Sequence, residues 1–306
     1  MNLKFSFITP SFNQGRFIER TIQSILSQKS AAIEMEYVVC DGGSTDETVE
    51  ILKRYEKELS WVSEPDNGQA DAVNKGIAMT TGDIIGWINS DDVYYQGSFQ
   101  AVKEIFESHP DVLAVYGDAD HIDEKDWVIE AYPTEPWDYK RLNETCFLCQ
   151  PAVFFRRSLV EKFGKLDDAL NFCMDYELWL RYGREIQFFY LPQKLAGSRL
   201  YQENKTLGQR VAVHQEINDM FRNKFNRVPD KWIFAYAHIK VEDILKLART
   251  NPQENRIFVN ALVSNSFWSF WHWKQWISFH ALLRMLWWYI NANLNFLKTL
   301  TLKKIV

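Results

Sequence analysis

The chain has 306 residues, 46% hydrophobic and 25% charged, with a formal net charge of −5 at pH 7. Such a length and composition fit one large globular domain, or one domain with an appendage, and exclude a disordered or collagen-like chain. The acidic balance supplies no overall basic field for nucleic acid, and four cysteines in so long a chain do not make a disulfide framework.

Taken in order, the first 120 residues alternate strand-like and helix-like patterns. Residues 5–8 (Phe-Ser-Phe-Ile) predict a short strand that stops at Pro10. Apolar residues at Phe17, Ile18, Ile22, Ile25 and Leu26 then form one helical face. Residues 37–40 predict a second buried strand, broken by Asp41-Gly42-Gly43-Ser44, and Ser44 or Thr45 is placed to cap a helix. A third strand at 61–64 is followed by a helix at 69–79, and a fourth at 84–88 runs straight into Asn89-Ser90-Asp91-Asp92. A helix at 98–108 and a strand at 112–116 follow, then mixed short elements to about 210, including an amphipathic helix at 174–181. Beyond 210 the pattern is helical and ends in a tryptophan-rich stretch.

Strands joined by single helices imply right-handed βαβ units and a mostly parallel sheet. Ligands of such sheets bind beyond the carboxyl ends of the strands. The polar loops fall there: 9–13, 41–44, 64–68 and 89–92 each follow a strand. Asp91 and Asp92 suit a hard divalent cation that takes oxygen ligands and leaves positions open for phosphate, while Asn89 and Ser90 suit a ribose or a metal-bound water. A simple capped turn is the plainer alternative. Asp41 with its glycines offers an acceptor for a base N–H beside a helix start suited to phosphate, or merely a Gly-rich turn. Neither the dinucleotide fingerprint nor the P-loop pattern is present. Cys146-x-x-Cys149 has no second ligand pair, so buried thiols are expected there and not a zinc or redox site. The opening MNLKFSFITP lacks the charged flank and apolar run of a secretory signal, and no run of ~20 residues is free of polar groups. A reducing, cytoplasmic location is the expectation.

Phe7-Ile8-Thr9-Pro10-Ser11-Phe12-Asn13 and Val39-Cys40-Asp41-Gly42-Gly43-Ser44-Thr45-Asp46 together resemble the start of the inverting family 2 glycosyltransferases. The resemblance continues through the segments at 64–76, 82–92, 150–157 and 174–181, and covers about residues 3–208. It implies an α/β fold of the GT-A type, a Rossmann-like, mostly parallel sheet flanked by helices, spanning 1–210. Residues 211–306 are left as a helical C-terminal extension. Thr9, Pro10 and Phe12 would line the base pocket, Asp41 would bind the base edge, and Gly68 and Gln69 would lie near the nucleotide. The family's acidic metal motif falls on Asn89-Ser90-Asp91, so asparagine stands at its first position. The metal, Mn2+ or Mg2+, is therefore placed on Asp91, with Asp92 as partner and Asn89 and Ser90 toward the ribose. Asp175 is the implied catalytic base, with Glu177 next. Some relatives place a metal-binding histidine where this chain has Tyr201, and Arg199 or Lys205 is an alternative neutraliser of the diphosphate.

The activity implied is transfer from a nucleotide sugar, a UDP-sugar first, to a hydroxyl of a saccharide acceptor in surface-polysaccharide or O-antigen assembly. The alternatives are a non-catalytic sugar-nucleotide or glycan-binding module and, less consistent with the absent Gly-rich basic phosphate loop, a nucleotidyltransferase. The aromatic tail from Phe267 to Tyr289 suits either a helix lying in a membrane interface or helices packed on protein. A tail on the inner face of a membrane would make a lipid-linked saccharide the natural acceptor.

Overall fold

The structure is a computed structural model that describes residues 3–303 except 203, 205–207 and 248. Two compact units are distinguished, Met1–Asn204 and Lys205–Val306.

The first unit is a nine-stranded sheet with helices. Its strands are β1 (Lys4–Ser11), β2 (Glu34–Asp41), β3 (Ser60–Ser63), β4 (Ile84–Trp87), β5 (Val93–Tyr94), β6 (Ala114–Ile122), β7 (Val128–Ala131), β8 (Val153–Arg156) and β9 (Phe189–Arg199). The helices are α1 (Ile18–Leu26), α2 (Thr48–Arg54), α3 (Gln69–Met79), α4 (Ser98–Ser108), α5 (Tyr139–Leu142), α6 (Arg157–Phe163) and α7 (Met174–Gly183). The strand order is β3-β2-β1-β4-β8-β6-β9-β5, with β7 beside β6. Strands β1, β2, β3, β4, β6 and β9 point one way, and β5, β7 and β8 run against them. Parallel β1–β4 put the loops after these strands on one edge of the sheet.

The core forms because strand and helix faces are apolar at matching periods. On α1, Ile18, Ile22 and Ile25 are fully buried. Phe7 of β1 packs against Phe99 of α4 with ring centroids 4.2 Å apart, and against Tyr94 at 5.8 Å. Gly76 of α3 faces Ile8 so closely that an added Cβ would collide with its side chain, which lets helix and strand approach.

Strand β1 runs through Pro10 to Ser11 instead of stopping at the proline. Ile88 N donates to Ile8 O, while Gly42 N donates to Ser11 O, so the backbone N–H and C=O of even residues of β1 face β4 and those of odd residues face β2. The β1–β4 ladder ends at Ile8↔Trp87. Pro10 therefore directs its missing N–H past the end of β4, where no ladder bond is lost. Helix α2 starts at Thr48, later than Ser44 or Thr45 suggested, because those residues bond within the loops. Asp46 Oδ1 accepts from Thr48 N at 3.0 Å in their place.

Among the described residues, the second unit contains helices α8 (Arg210–Phe225), α9 (Asp230–Leu245), α10 (Pro252–His272) and α11 (Phe279–Lys303). Asn251 caps α10 by accepting from Glu254 N at 2.8 Å, with Pro252 in the first turn. Ala237, Val241, Phe258, Leu262 and Ala292 form its core. No described helix is long and apolar enough to cross a membrane.

Candidate active site

Four loops meet at the carboxyl edge of β1–β4, and side-chain hydrogen bonds tie them together. After β4, Asp92 N donates to Asn89 O at 3.1 Å, closing the acidic turn. Asn89 Oδ1 accepts from Gln69 Nε2 at 2.6 Å and Trp87 Nε1 at 3.2 Å, and its Nδ2 donates to Asp92 Oδ2 at 3.4 Å. The asparagine thus joins the start of α3 to the loop after β4. Its amide supplies both donor and acceptor, which a carboxylate at this position could not.

The turn is supported from below. Thr21 Oγ1, fully buried on α1, lies 3.0 Å from Ser90 O and 2.7 Å from Asp92 O. Arg199 N donates to Asp92 Oδ1 at 2.8 Å and Arg199 Nε to Asp91 O at 2.6 Å. Its other guanidinium nitrogens bond Asp123 O and Asp126, and the group stacks 4.8 Å from the Phe17 ring. A guanidinium enclosed in this way is a fixed part of the floor and not a free arm for a diphosphate. Lys205, the other cation considered for that role, lies outside the described residues.

The two aspartates differ in environment. Asp92 is buried, and burial followed by the neighbouring Asp91 charge pushes its carboxyl well above the usual carboxylate range, against the pull of Arg199. Asp91 is half-buried, and Oδ2 accepts from Tyr201 Oη at 2.8 Å. Tyr201 also receives Gln14 Nε2 at 3.4 Å and packs 5.0 Å from Phe17. Among the described residues there is no group of three or more His, Cys, Asp or Glu able to hold a metal. Two adjacent carboxylates, one raised by the other's charge, still fit a divalent cation that takes its remaining ligands from water and phosphate.

Around this turn, Thr9 is buried with Oγ1 3.1 Å from Tyr37 Oη, Pro10 pairs with Cys40 in the ladder, and Phe12 is 60% exposed. Asp41 is buried and already well satisfied. Ser44 Oγ donates to Oδ1 at 2.5 Å, while Gly43 N, Ser44 N and Ser63 Oγ donate to Oδ2 at 3.1, 2.8 and 2.6 Å. Gly43 has φ +83° and Gly68 φ +111°, so both turns use backbone that favours glycine. Gly68 N donates to Asp66 Oδ1 at 2.8 Å, and a Cβ on Gly68 would lie 3.8 Å from Asn171 Oδ1. The segment before α7 is thereby brought to the same edge.

Asp175 occupies the first turn of α7, half-buried, with Oδ1 accepting from Tyr176 N at 2.8 Å. The charges of Asp175 and Asp92 both act on one buried group, the Cys149 thiol. That buried thiol is held well above its usual range by burial first, and then by the Asp92 and Asp175 charges. Cys146 is raised by burial and Asp175 in the same way, so both members of the CxxC pair stay protonated. Glu177, the second base candidate, is 1% exposed and bidentate to Arg181 at 2.9 and 2.7 Å. Arg181 in turn donates to Phe163 O, Gly164 O and Lys165 O, so this pair joins α7 to the preceding loop.

Sequence reasoning did not single out Thr21, Trp87 or the anchoring use of Arg199. Thr21 did carry a signal, since it is a polar residue inside the buried stripe of Ile18, Ile22 and Ile25.

Residues 6–164 match the family profile described as glycosyl transferase family 2. An uncharacterized glycosyltransferase of Rickettsia prowazekii is 26% identical over 262 residues, covering 80% of each chain. The first 349 residues of TarS of S. aureus, solved in complex with UDP-GlcNAc, superpose with a TM-score of 0.60 at 17% identity, covering 86% of this chain and 80% of that one. A mannosyltransferase of Pyrobaculum calidifontis, solved with GDP-Man and Mn2+, superposes with a TM-score of 0.57 at 17% identity, covering 96% and 87%. The mostly parallel α/β architecture is that of these glycosyltransferases, and the chain belongs to glycosyl transferase family 2.

Proposed function

We propose that the chain is an inverting, metal-dependent hexosyltransferase. It moves a sugar from a nucleotide-diphosphate sugar, a UDP-sugar in the first instance, to a hydroxyl of a saccharide acceptor in surface-polysaccharide or O-antigen assembly. The observation that carries this reading is the acidic turn at the carboxyl edge of β4, where half-open Asp91 stands beside buried Asp92 and Asn89 ties in Gln69. The nucleotide-sugar complexes of TarS and of the Pyrobaculum mannosyltransferase support a donor of this class.

In this reading residues 1–210 form the catalytic domain and 211–306 its helical extension. Thr9, Pro10 and the exposed ring of Phe12 line the base pocket, with Gly68 and Gln69 beside the nucleotide. Asp41 accepts from the base edge once the Ser44 or Ser63 hydroxyl rotates away, and Asn89 and Ser90 face the ribose. Asp91, with Asp92, would hold Mn2+ or Mg2+, which supplies Lewis-acid neutralisation of the departing diphosphate. Asp175 takes the proton from the acceptor hydroxyl as general base. The acceptor oxygen then bonds to the anomeric carbon opposite the diphosphate, whose C–O bond breaks, and the configuration inverts in one displacement. The C-terminal helices would place the enzyme on the inner, cytoplasmic face of a membrane, where a lipid-linked saccharide is the acceptor.

The test is donor turnover with UDP-, GDP- and dTDP-sugars, with and without Mn2+, in the native chain and in Asp91→Ala. Metal-stimulated release of one nucleoside diphosphate, lost in Asp91→Ala, supports the enzyme. Asparagine at the head of the acidic motif favours a second reading, a non-catalytic sugar-nucleotide or glycan-binding module. Donor binding without any turnover would select that module.

A further inference from the structure

Helix α11 is apolar on two opposite sides. Ala281, Met285, Trp288 and Ala292 repeat at helical spacing on the inner side. There Trp288 packs 5.1 Å from Phe234 of α9, and Asn293 donates to Asn260 of α10 at 3.1 Å. The outer side carries Leu283, Leu286, Trp287, Ile290, Leu294 and Leu297, all 44–64% exposed. Leu283, Leu286, Trp287 and Ile290 line an open groove. Trp276, just before α11, is 96% exposed, and Phe279, its first residue, 69%. Contiguous exposed apolar surface of this kind marks an interaction site.

Charge identifies the occupant. From Asn255 to Val306 the sequence contains no aspartate or glutamate, but holds Arg256, Lys274, Arg284, Lys298, Lys303 and Lys304. This wholly basic segment belongs to a chain whose formal net charge is −5. Arg284 and Lys298 are exposed and lie along one flank of the apolar stripe on α11, with the Arg284 guanidinium 5.7 Å from the Phe234 ring. A second copy of the helix brings no acidic side chain to complement this basic flank. A sheet of anionic headgroups complements it, and exposed tryptophans suit the boundary between headgroup and acyl chain. The helix carries Arg284, Asn291, Asn293 and Asn295 along its length, and it is not apolar enough to cross a bilayer.

We infer that the outer face of α11, with Trp276 and Phe279, is a docking surface for an anionic lipid bilayer, lying in the interface without spanning it. This deepens the membrane contact proposed above, and rests on it, by naming the lipid class and the residues. The apolar side would sink about 5–10 Å into the headgroup boundary while the basic flank meets the lipid charge.

The test is flotation of the full chain with phosphatidylcholine–phosphatidylglycerol vesicles and with pure phosphatidylcholine vesicles. Binding to the mixed vesicles is expected to exceed binding to the neutral ones and to fall in high salt. The triple variant Leu286→Glu/Trp287→Glu/Ile290→Glu should lose binding to both. Because these side chains are exposed, its circular dichroism should be unchanged. Lys274→Glu/Lys298→Glu should weaken binding to mixed vesicles by about fivefold or more for each charge and leave neutral-vesicle binding unaltered. Equal binding to both vesicles, no binding to either, or wild-type binding by the triple variant would overturn the inference. So would a lipid-free dimer in sedimentation velocity that the triple variant disperses. Donor hydrolysis by the native chain in lipid-free buffer reports on the transferase reading separately. Vesicle binding without hydrolysis leaves the docking surface standing, and hydrolysis without vesicle binding removes it alone.

Discussion

Tyr201 donates its hydroxyl to Asp91 Oδ2 across 2.8 Å, connecting the chain just beyond β9 to the acidic turn after β4. Burial, followed by the Asp91 charge, pushes the phenol above its ordinary range, so it stays a proton donor at any working pH. Tyr201→Phe keeps the ring against Phe17 and removes that donor. A cation then competes with one fewer proton for Asp91, and half-saturating Mn2+ for donor hydrolysis should fall by about two- to tenfold. An increased Mn2+ requirement would show that the hydroxyl serves to aim the carboxylate at the ion.

Asp91 and Asp175 should separate by phenotype. Asp175→Asn is expected to lower kcat by about 10²–10⁴ while leaving donor affinity nearly unchanged, because it removes only a proton acceptor. Asp91→Asn should weaken donor and metal binding together. Isothermal titration with a nondegraded donor analogue, set beside initial rates, distinguishes them, and Asp175→Asn with full turnover rules that residue out as the base.

Glu177 is two residues from Asp175 but faces a different task. Its carboxylate is buried and bidentate to Arg181, so Glu177→Gln leaves the guanidinium without its counter-charge. A loss of about 3 kcal/mol in unfolding free energy is expected, read by urea denaturation. Turnover per folded molecule should stay near the native value. A rate collapse in a variant of native stability would return Glu177 to the chemistry.

Glu36 ties the amino ends of β1 and β2 to the loop before β4. It accepts from Lys4 Nζ at 2.7 Å, Ser6 Oγ at 2.7 Å, Thr81 N at 2.6 Å and Gly82 N at 2.7 Å. Burial raises its carboxyl, but these donors outweigh burial and bring it from 4.5 to about 2. A carboxyl lowered in the fold stabilises fully above its unfolded value of 4.5, and that contribution fades as pH falls from there toward about 2. Glu36→Gln should therefore cost about 1–3 kcal/mol at neutral pH. The gap in Tm between native and variant should close across that acid range. A gap independent of pH would assign the loss to packing.

Much of the edge that carries the acidic turn was legible locally. Helices at 69–79 and 98–108 follow from apolar spacing and appear with those bounds as α3 and α4. The 89–92 turn follows from a buried run ending in acids. Pro10 misled because its effect depends on which neighbour its nitrogen faces, and that is fixed by where β4 ends. Ser44 stands where a helix cap is expected, yet its hydroxyl serves Asp41 and Asn13 N. The support from Arg199 and Tyr201 was out of reach, because 107 and 110 residues separate them from their partners Asp92 and Asp91. Only the pairing of β9 with β6 and β5 brings them back, and long-range strand pairing has no local periodicity.

That return of the chain bears on how small a working piece of this protein can be. A fragment ending at residue 164 would contain the whole family-matched segment and both aspartates of the turn. It would lack β9, and with it the Arg199 amide and guanidinium and the Tyr201 hydroxyl that brace Asp91 and Asp92. Burial and the Asp91 charge would then act on Asp92 without the opposing pull of Arg199. The shortest excisable transferase must therefore reach past Tyr201, and the family signature marks out a smaller region than the unit that can be cut free.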